Sequence, residues 1–264
     1  MSGSPGVAAR LADSAASVPF WWHSIDLGHG VVTDGHKSPE LLAEEWATLQ
    51  LPDLRGRSVL DVGAWDGWFS FEAERRGAQR VVALDRYVWS VDFAAKARMD
   101  GSLESHREQA GVWRPDSLPG KRGFDVAHAA LGSRVDVAVG DLQDTDPTDL
   151  GSFDVVLYLG VLYHMEDPLG ALRRLRAVTG ELAVLECETV HPAGQDEVAL
   201  CAFAPGWGGD PTNWWFPNPR GLQALCAAAG FERCEVVAGA PPGNVPGGGP
   251  PRARTVAHAW VGAG

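Results

Sequence analysis

Residues 58–77 read SVLDVGAWDGWFSFEAERRG. SVLDV is a short β-branched run, and WFSFEAERRG has the mixed polarity of a helix with one wet face. Between them Gly63 and Gly67 bracket Ala64, Trp65 and Asp66. A strand, a glycine loop and a helix in that order bring backbone N–H groups and a helix N-terminus up to a nucleotide. Trp65 stands where such a loop usually has a further glycine, so its Cβ must be kept clear of the ligand. Its indole is expected to point away from the cofactor, toward the N-terminal aromatic segment or a substrate cavity. Plain packing of loop on helix is the alternative.

The chain on either side repeats this alternation. Ser38, Pro39 and Glu40 open a helix in SPELLAEEWATLQL as N-cap, first-turn proline and first-turn acid. Apolar runs follow at 58–62, 80–85, 135–141, 154–161 and 182–188, with helical stretches at 67–76, 88–99, 168–178 and near 123–132. Continuous apolar strands alternating with helices indicate a parallel sheet covered on both faces. Near the end, Asn218, Pro219 and Gly230 bracket the helix RGLQALCAAA, which leads into RCEVVAG, a flexible APPGNVPGGGPPRAR and a last strand TVAHAWVG. Two strands joined without a helix are expected to be antiparallel neighbours. The expectation is an α/β, doubly wound, mostly parallel sheet in a single domain. Residues 1–18 are read as a frayed tail, 19–55 as a lid segment and first helix, and 56–264 as the core.

Composition narrows the function. Of 264 residues 45% are hydrophobic and 21% charged, which suits a globular protein, and no run of about 18 apolar residues suggests a membrane span. MSGSPGVAARLADSAAS lacks the charged start and apolar core of a signal peptide, so the expected location is cytoplasmic. Thirty-four acids against 22 Lys and Arg give a net charge of −12, which disfavours nucleic-acid partners. Arg114, Lys121, Arg122 and Arg134 form a local basic exception, read as a solvated loop or an anion site. Cys187, Cys201, Cys226 and Cys234 form no CxxC pair and are read as reduced core thiols. His191 with Glu186 and Glu188 is short of a metal set, and no metal is expected.

In a doubly wound sheet the ligand lies beyond the carboxyl ends of the strands. There LDVGAWDG offers its backbone, VVALDR places Asp85 to accept from two ribose hydroxyls, and VAVGDLQD places Asp141 and Leu142 to read an adenine. Strand-end acids also fit nicotinamide-dependent dehydrogenases. Against that, no G-x-G-x-x-G spacing is present, and Asp61 would face a positive group such as an amino-acid ammonium. That combination favours S-adenosylmethionine (SAM).

With these motifs the sequence resembles the class I SAM-dependent methyltransferases. LDVGAWDG matches motif I, VVALD the ribose acid, GDLQD the adenine segment, and FDVVLYLGVLYHMEDPLGALRRL the fourth strand and its helix. The resemblance spans about residues 20–262 and implies a Rossmann-like seven-stranded sheet. It implies a cofactor site of Asp61, Gly63, Ala64, Trp65, Gly67, Asp85, Arg86, Asp141, Leu142, Leu159, Gly160 and Tyr163. Within the class, LGVLYHMEDPLGALRRLR, ELAVLECETV and NWWFPNPRGLQALCAAAGF are similar to the tRNA wobble-uridine carboxymethyltransferases. Those enzymes have a long helical N-terminal region, for which no counterpart is seen here, and use carboxy-SAM held by cations. Ahead of motif I this sequence reads AEEW, with no lysine at the equivalent place, and Arg252 or Arg254 would have to stand in for a C-terminal arginine. Plain SAM is the expected donor.

Methyl transfer from a sulfonium depends mostly on positioning, with a base where the nucleophile must lose a proton. His164 at the fourth strand's end is read as base or orienting donor, with capping of the next helix as the alternative. Tyr163 is read as a hydrogen-bonding partner of cofactor or substrate, with packing as the alternative, and Glu186 and Glu188, on one strand face, as binders of a substrate amine, a base, or residues in water. Trp21, Trp22, His23, Asn213, Trp214 and Trp215 are expected to build an aromatic substrate wall, since eleven tryptophans exceed the needs of one core, with packing of a thin core as the alternative. The segment 19–38 is expected to close as a lid, with His23 and His164 bracketing the nucleophile. The expected function is methyl transfer to an O or N nucleophile of a small molecule with an aromatic or hydrophobic part, in specialised metabolism. A tRNA transferase and a silent SAM-binding protein are the alternatives, and monomer or homodimer is left open.

Overall fold

The computed structural model describes residues 5–98, 112–207, 210, 212–239, 243 and 250–262. The strands are β1 (Ser58–Val62), β2 (Arg80–Asp85), β3 (Asp136–Val139), β4 (Phe153–Leu159), β5 (Thr179–Val190), β6 (Cys201–Phe203), β7 (Trp215–Pro217), β8 (Arg233–Gly239) and β9 (Arg252–Trp260). The helices are α1 (Pro5–Ala16), α2 (Pro39–Thr48), α3 (Trp68–Arg75), α4 (Phe93–Lys96), α5 (Arg122–Leu131), α6 (Pro147–Leu150), α7 (Pro168–Val178) and α8 (Pro219–Ala229). Among the described residues, seven strands form one sheet in the order β3-β2-β1-β4-β5-β9-β8, and β6 pairs with β7 apart from it. Only β9 runs against the others, antiparallel to both β5 and β8. The doubly wound, mostly parallel sheet expected from the alternation is therefore present.

Local chemistry sets the helix starts. Ser38, Asp167 and Asn218 each accept a backbone N–H of the first turn, with a proline directly behind the cap. The sheet is buried on both faces. Val59, Ala83, Val155, Leu157 and Val184 pack toward α3 and α5, whereas Leu60, Val82, Val156, Ala183 and Leu185 pack toward α7 and α8. Register levels the carboxyl ends, pairing Val62 with Leu84 and Tyr158, and Tyr158 with Leu185. Gly63, Asp85 and Leu159 thus lie in one row, with Glu186 of the longer β5 alongside Leu159.

Three expectations need correction, and a fourth is narrowed. Residues 5–16 form a helix where a frayed tail was expected: α1 packs on α5, the Trp21 indole donates to Ala15 O at 3.0 Å, and Val18 is buried. The expected helix at 88–99 breaks after a 3-10 turn at Val88–Ser90, because Val91 turns extended and pairs with Trp113 before Asp92 caps the short α4. Residue 99 lies outside the described residues. Arg252 and Arg254, expected in a flexible stretch, belong to β9, while 240–242 and 244–249 of that stretch lie outside the described residues. Finally, the basic cluster is spoken for. Lys121 pairs with Asp125, Arg114 lies 3.2 Å from Asp92, Arg134 lies 3.4 Å from Glu74, and Arg122 donates to Ser17 Oγ at 2.6 Å.

Candidate active site

The loop from β1 to α3 makes three left-handed turns, at Gly63 (φ 78°), Trp65 (φ 53°) and Gly67 (φ 89°). Gly67 is required twice over, since an added Cβ would also sit 2.6 Å from the Phe124 ring and 2.7 Å from the Phe71 ring. A left-handed tryptophan is unusual and needs support. Its N–H donates to Asp85 Oδ2 at 3.0 Å, and its carbonyl accepts from the Trp89 indole at 2.6 Å. Its ring stacks on Trp22 (4.8 Å between centroids, 7° between planes) and on Phe93 (5.9 Å, 15°). The indole thus lies against the N-terminal aromatic segment.

Two buried carboxylates flank this loop. Asp61 accepts from Ser70 Oγ at 2.6 Å, and burial raises its pKa to about 6 against the lowering effects of Ser70 and His23. Asp85 accepts from Trp65 N and Val88 N, each at 3.0 Å, and burial raises its pKa to about 7 despite those donors. Arg86 beside it is exposed. Asp141 accepts from Gln143 N at 2.9 Å within its own turn, and Leu142 is buried in the core toward α7 and α8.

At the ends of β4, β5 and β9 a polar cluster forms. Gly160 (φ 70°) donates to Glu186 O at 2.9 Å, and a Cβ there would lie 3.4 Å from the Tyr163 hydroxyl and 3.8 Å from Glu186 Oε2. Arg254 Nη1 donates to the Tyr163 hydroxyl at 3.0 Å and to Glu186 Oε2 at 3.1 Å. Arg252 reaches Glu188 at 2.8 Å and stacks over Trp207 at 4.6 Å. Both pairs are diagonal across the β5–β9 ladder, so all four side chains share one face. Burial pushes the Glu186 carboxyl up, with Arg254 opposing it, and pushes the Tyr163 phenol up as well. His191, the third residue of the incomplete metal set, bonds Thr189 Oγ1 at 3.0 Å. Among the described residues no group of three His, Cys, Asp or Glu could hold a metal ion.

His164 ends the 3-10 turn Leu162–His164 that follows β4. Its Nδ1 lies 2.8 Å from Thr212 Oγ1 and 3.2 Å from Thr212 O, and burial lowers its pKa. Trp214 N donates to Tyr163 O at 2.8 Å, which fastens residues 212–215 to this turn.

The expected lid and wall come out differently. Residues 19–38 fold back on themselves through bridges at His23–Lys37 and Asp26–Val32, with Trp21, Ile25 and Leu27 in the core. Asp66 fixes this strap by accepting from Trp22 N (2.8 Å), His23 N (2.9 Å) and His23 Nδ1. His23, expected beside the nucleophile, is instead enclosed at 5% exposure against Asp66 and the edge of Phe69. Trp21, expected in the wall, is a core residue for the same reason: its apolar body fills space under α1. Trp22 stacks between Trp65 and His36. Trp214 and Trp215 pack on Phe203 instead, and no ring pair among the described residues joins the two groups. Asn213 donates to Trp207 O at 2.8 Å, while its buried Oδ1 has no partner. The sequence reading missed Asp66, Asp210 and Thr212. Asp66 lies inside the quoted motif, and its only signal was a second acid in a loop that needs just one.

A family profile described as a methyltransferase domain matches residues 35–236, from the strap to β8. This chain belongs to that family. The match takes in motif I, the strand-end acids and the His164 turn, so the expectation of a SAM-dependent methyltransferase is met at the level of family and fold. Curated relatives include two proteins named tRNA U34 carboxymethyltransferase. One, from Methylococcus capsulatus, is 28% identical over 79% of this chain and 55% of its own length. The other, from Chromohalobacter salexigens, is 29% identical over 72% of this chain and 49% of its own. The chain spans about half the length of the curated relatives it matches. Among solved structures, the N-terminal domain of EvdMO1, crystallised in the presence of S-adenosylhomocysteine and D-fucose, shares the fold. It has a TM-score of 0.62 and 16% identity, over 97% of this chain and 95% of that one. No helix of the described residues is long and apolar enough to cross a membrane.

Proposed function

We propose that the chain transfers a methyl group from SAM to an oxygen or nitrogen nucleophile of a small molecule with an aromatic or hydrophobic part. Fit to the donor rests on two carboxylates. Asp85 accepts Trp65 N on one oxygen and Val88 N on the other, with a smaller effect from Trp89 N, and its lone pairs keep capacity for a ribose hydroxyl. Asp61 is buried with one hydroxyl donor, and its burial-raised pKa suits a carboxylate whose cationic partner, an ammonium, arrives with the ligand. SAM supplies an electrophilic methyl on a sulfonium. Asp61, Gly63, Ala64 and Trp65 would hold its methionine end and Asp85 its ribose, while Asp141 and Leu142 would lie toward its adenine. Leu159, Gly160 and Tyr163 would line the transfer site, where Trp214, bonded through its backbone N–H to Tyr163 O, offers apolar cover to the acceptor.

The observation that carries the choice of acceptor is the pairing of Arg252 and Arg254 with Glu188 and Glu186 in a chain of net charge −12. Guanidinium groups already held by carboxylates have little to offer a phosphate backbone or the extra carboxylate of carboxy-SAM. The tRNA-named relatives favour a second reading, a wobble-uridine methyl or carboxymethyltransferase. Labelled SAM incubated with panels of phenols, alcohols, amines and bulk tRNA separates the two. Label in a small acceptor, with no salt-sensitive tRNA gel shift, is the expected result. Label in tRNA establishes the second reading, and SAM binding without transfer to anything means a silent binder.

A further inference from the structure

Thr212 Oγ1 donates to Asp210 Oδ1 at 2.6 Å, and Thr212 N donates to the same oxygen at 2.9 Å. The hydroxyl proton is therefore spent on the carboxylate, and toward His164 the Thr212 oxygen can only accept. The second neighbour of His164 Nδ1 is the Thr212 carbonyl at 3.2 Å, which also only accepts. Facing two acceptors, Nδ1 carries the proton of the neutral ring, and the lone pair sits on Nε2. We propose that Asp210 and Thr212 are positioning residues that lock His164 as an Nε2 base, and that the methyl acceptor is accordingly a hydroxyl compound. This rests on the methyltransferase reading above.

The substrate class follows from what a base is needed for. A neutral amine attacks with a lone pair it already has, whereas a hydroxyl oxygen is a good nucleophile only as its proton leaves. In the step, the acceptor oxygen forms its bond to the methyl carbon and the C–S bonding pair returns to sulfur. The O–H proton passes to Nε2 and from there to water. The groups acting on His164 are Asp210, which favours its charged form, Arg254, which opposes it, and the Tyr163 ring at 4.3 Å. Burial outweighs Asp210 and keeps the imidazole neutral, hence able to take a proton. The hydrogen-bonded link from Asp210 to His164 runs through Thr212, 48 positions beyond the histidine.

The test is nitrogen NMR of the full chain labelled at histidine, with the His164 signals identified by their loss in His164→Gln. The expected spectrum shows a protonated Nδ1 and a lone-pair Nε2. Thr212→Val should let the Nε2–H form appear, and Asp210→Asn should move the His164 midpoint to lower pH. Retention of fold is read from the other seven histidines, counted from eight in all. With labelled SAM, hydroxyl acceptors should lose about a hundredfold or more in kcat in His164→Gln, with SAM affinity within about twofold of wild type. The acid limb of the kcat profile should move down in Asp210→Asn. A wild-type ring protonated on Nε2, or transfer to amines at a rate unchanged in His164→Gln, overturns the proposal. Failure of wild type to transfer label to anything, with the expected tautomer seen, counts against the methyltransferase reading and leaves the relay established.

Discussion

Asp66 joins the motif I loop to the N-terminal strap, and its removal gives a sharp test of how the two are coupled. At 2% exposure its carboxylate accepts from the part-buried backbone N–H of Trp22, the buried N–H of His23, and the His23 ring. Asp66→Ala leaves both backbone donors without their acceptor. At about 1–3 kcal/mol for each unsatisfied buried donor, the loss comes to about 2–6 kcal/mol. The His23 ring adds little, because it can move its proton to the other nitrogen. Against a total stability of about 5–15 kcal/mol this is a large fraction. Trp21, Ile25 and Leu27 of the strap belong to the same core as β1 and α3, so the loss should appear in global unfolding. Asp66→Asn keeps an oxygen for both backbone groups and turns its amide toward a tautomerised His23, so it should cost about 1 kcal/mol. Urea unfolding followed by tryptophan fluorescence measures both. With a slope of about 3 kcal/mol per molar, the alanine variant should lose about 0.7–2 M in midpoint, and the asparagine variant about 0.3 M. Equal midpoints for Asp66→Ala and wild type would show that Asp66 does not hold the strap.

Two further outcomes follow from the site. Asp85 has its pKa raised to about 7 by burial. In the free chain this sign means that stability is fully present below the unfolded value of about 4 and falls as the pH rises toward the folded value. Ribose hydroxyls would stabilise the ionised form, so the SAM dissociation constant should tighten between about pH 5 and 8 and level off above. Calorimetry should find that slope gone in Asp85→Ala, with affinity about a hundredfold or more weaker at two charge-assisted bonds of roughly 1.5–3 kcal/mol each. A wild-type affinity in Asp85→Ala would place the cofactor elsewhere. At Trp65, φ is 53°. Trp65→Gly should therefore be more stable than Trp65→Ala by about 1 kcal/mol in thermal or urea unfolding, since an L-residue is strained there by about 1–2 kcal/mol. Equal stabilities would mean that the loop relaxes out of the left-handed conformation once the indole is gone.

The parts of this protein that its sequence determines unaided are those set by local chemistry. The β1–loop–α3 unit is legible because β-branched residues, two glycines and a mixed-polarity helix follow one another within twenty positions. The starts of α2 and α8 are legible because Ser38 and Asn218 bond N–H groups three residues ahead, with proline next to the cap. The doubly wound sheet, and with it the placing of Asp61 and Asp85 near the carboxyl ends of β1 and β2, follows from strands alternating with helices. Tertiary structure alone decided which partner each polar group takes. Nothing near Asp66 in sequence names Trp22 and His23, 44 and 43 residues away, as its donors. Nothing near Glu186 names Arg254, which reaches it only because β9 turns back antiparallel in the register that faces the two side chains together. The short α1 has too few residues to hold itself as a helix in water, and it is held by α5, over a hundred positions on. A hydrogen bond selects its partner by geometry within about 3 Å, and that geometry exists only after the sheet has brought distant segments side by side.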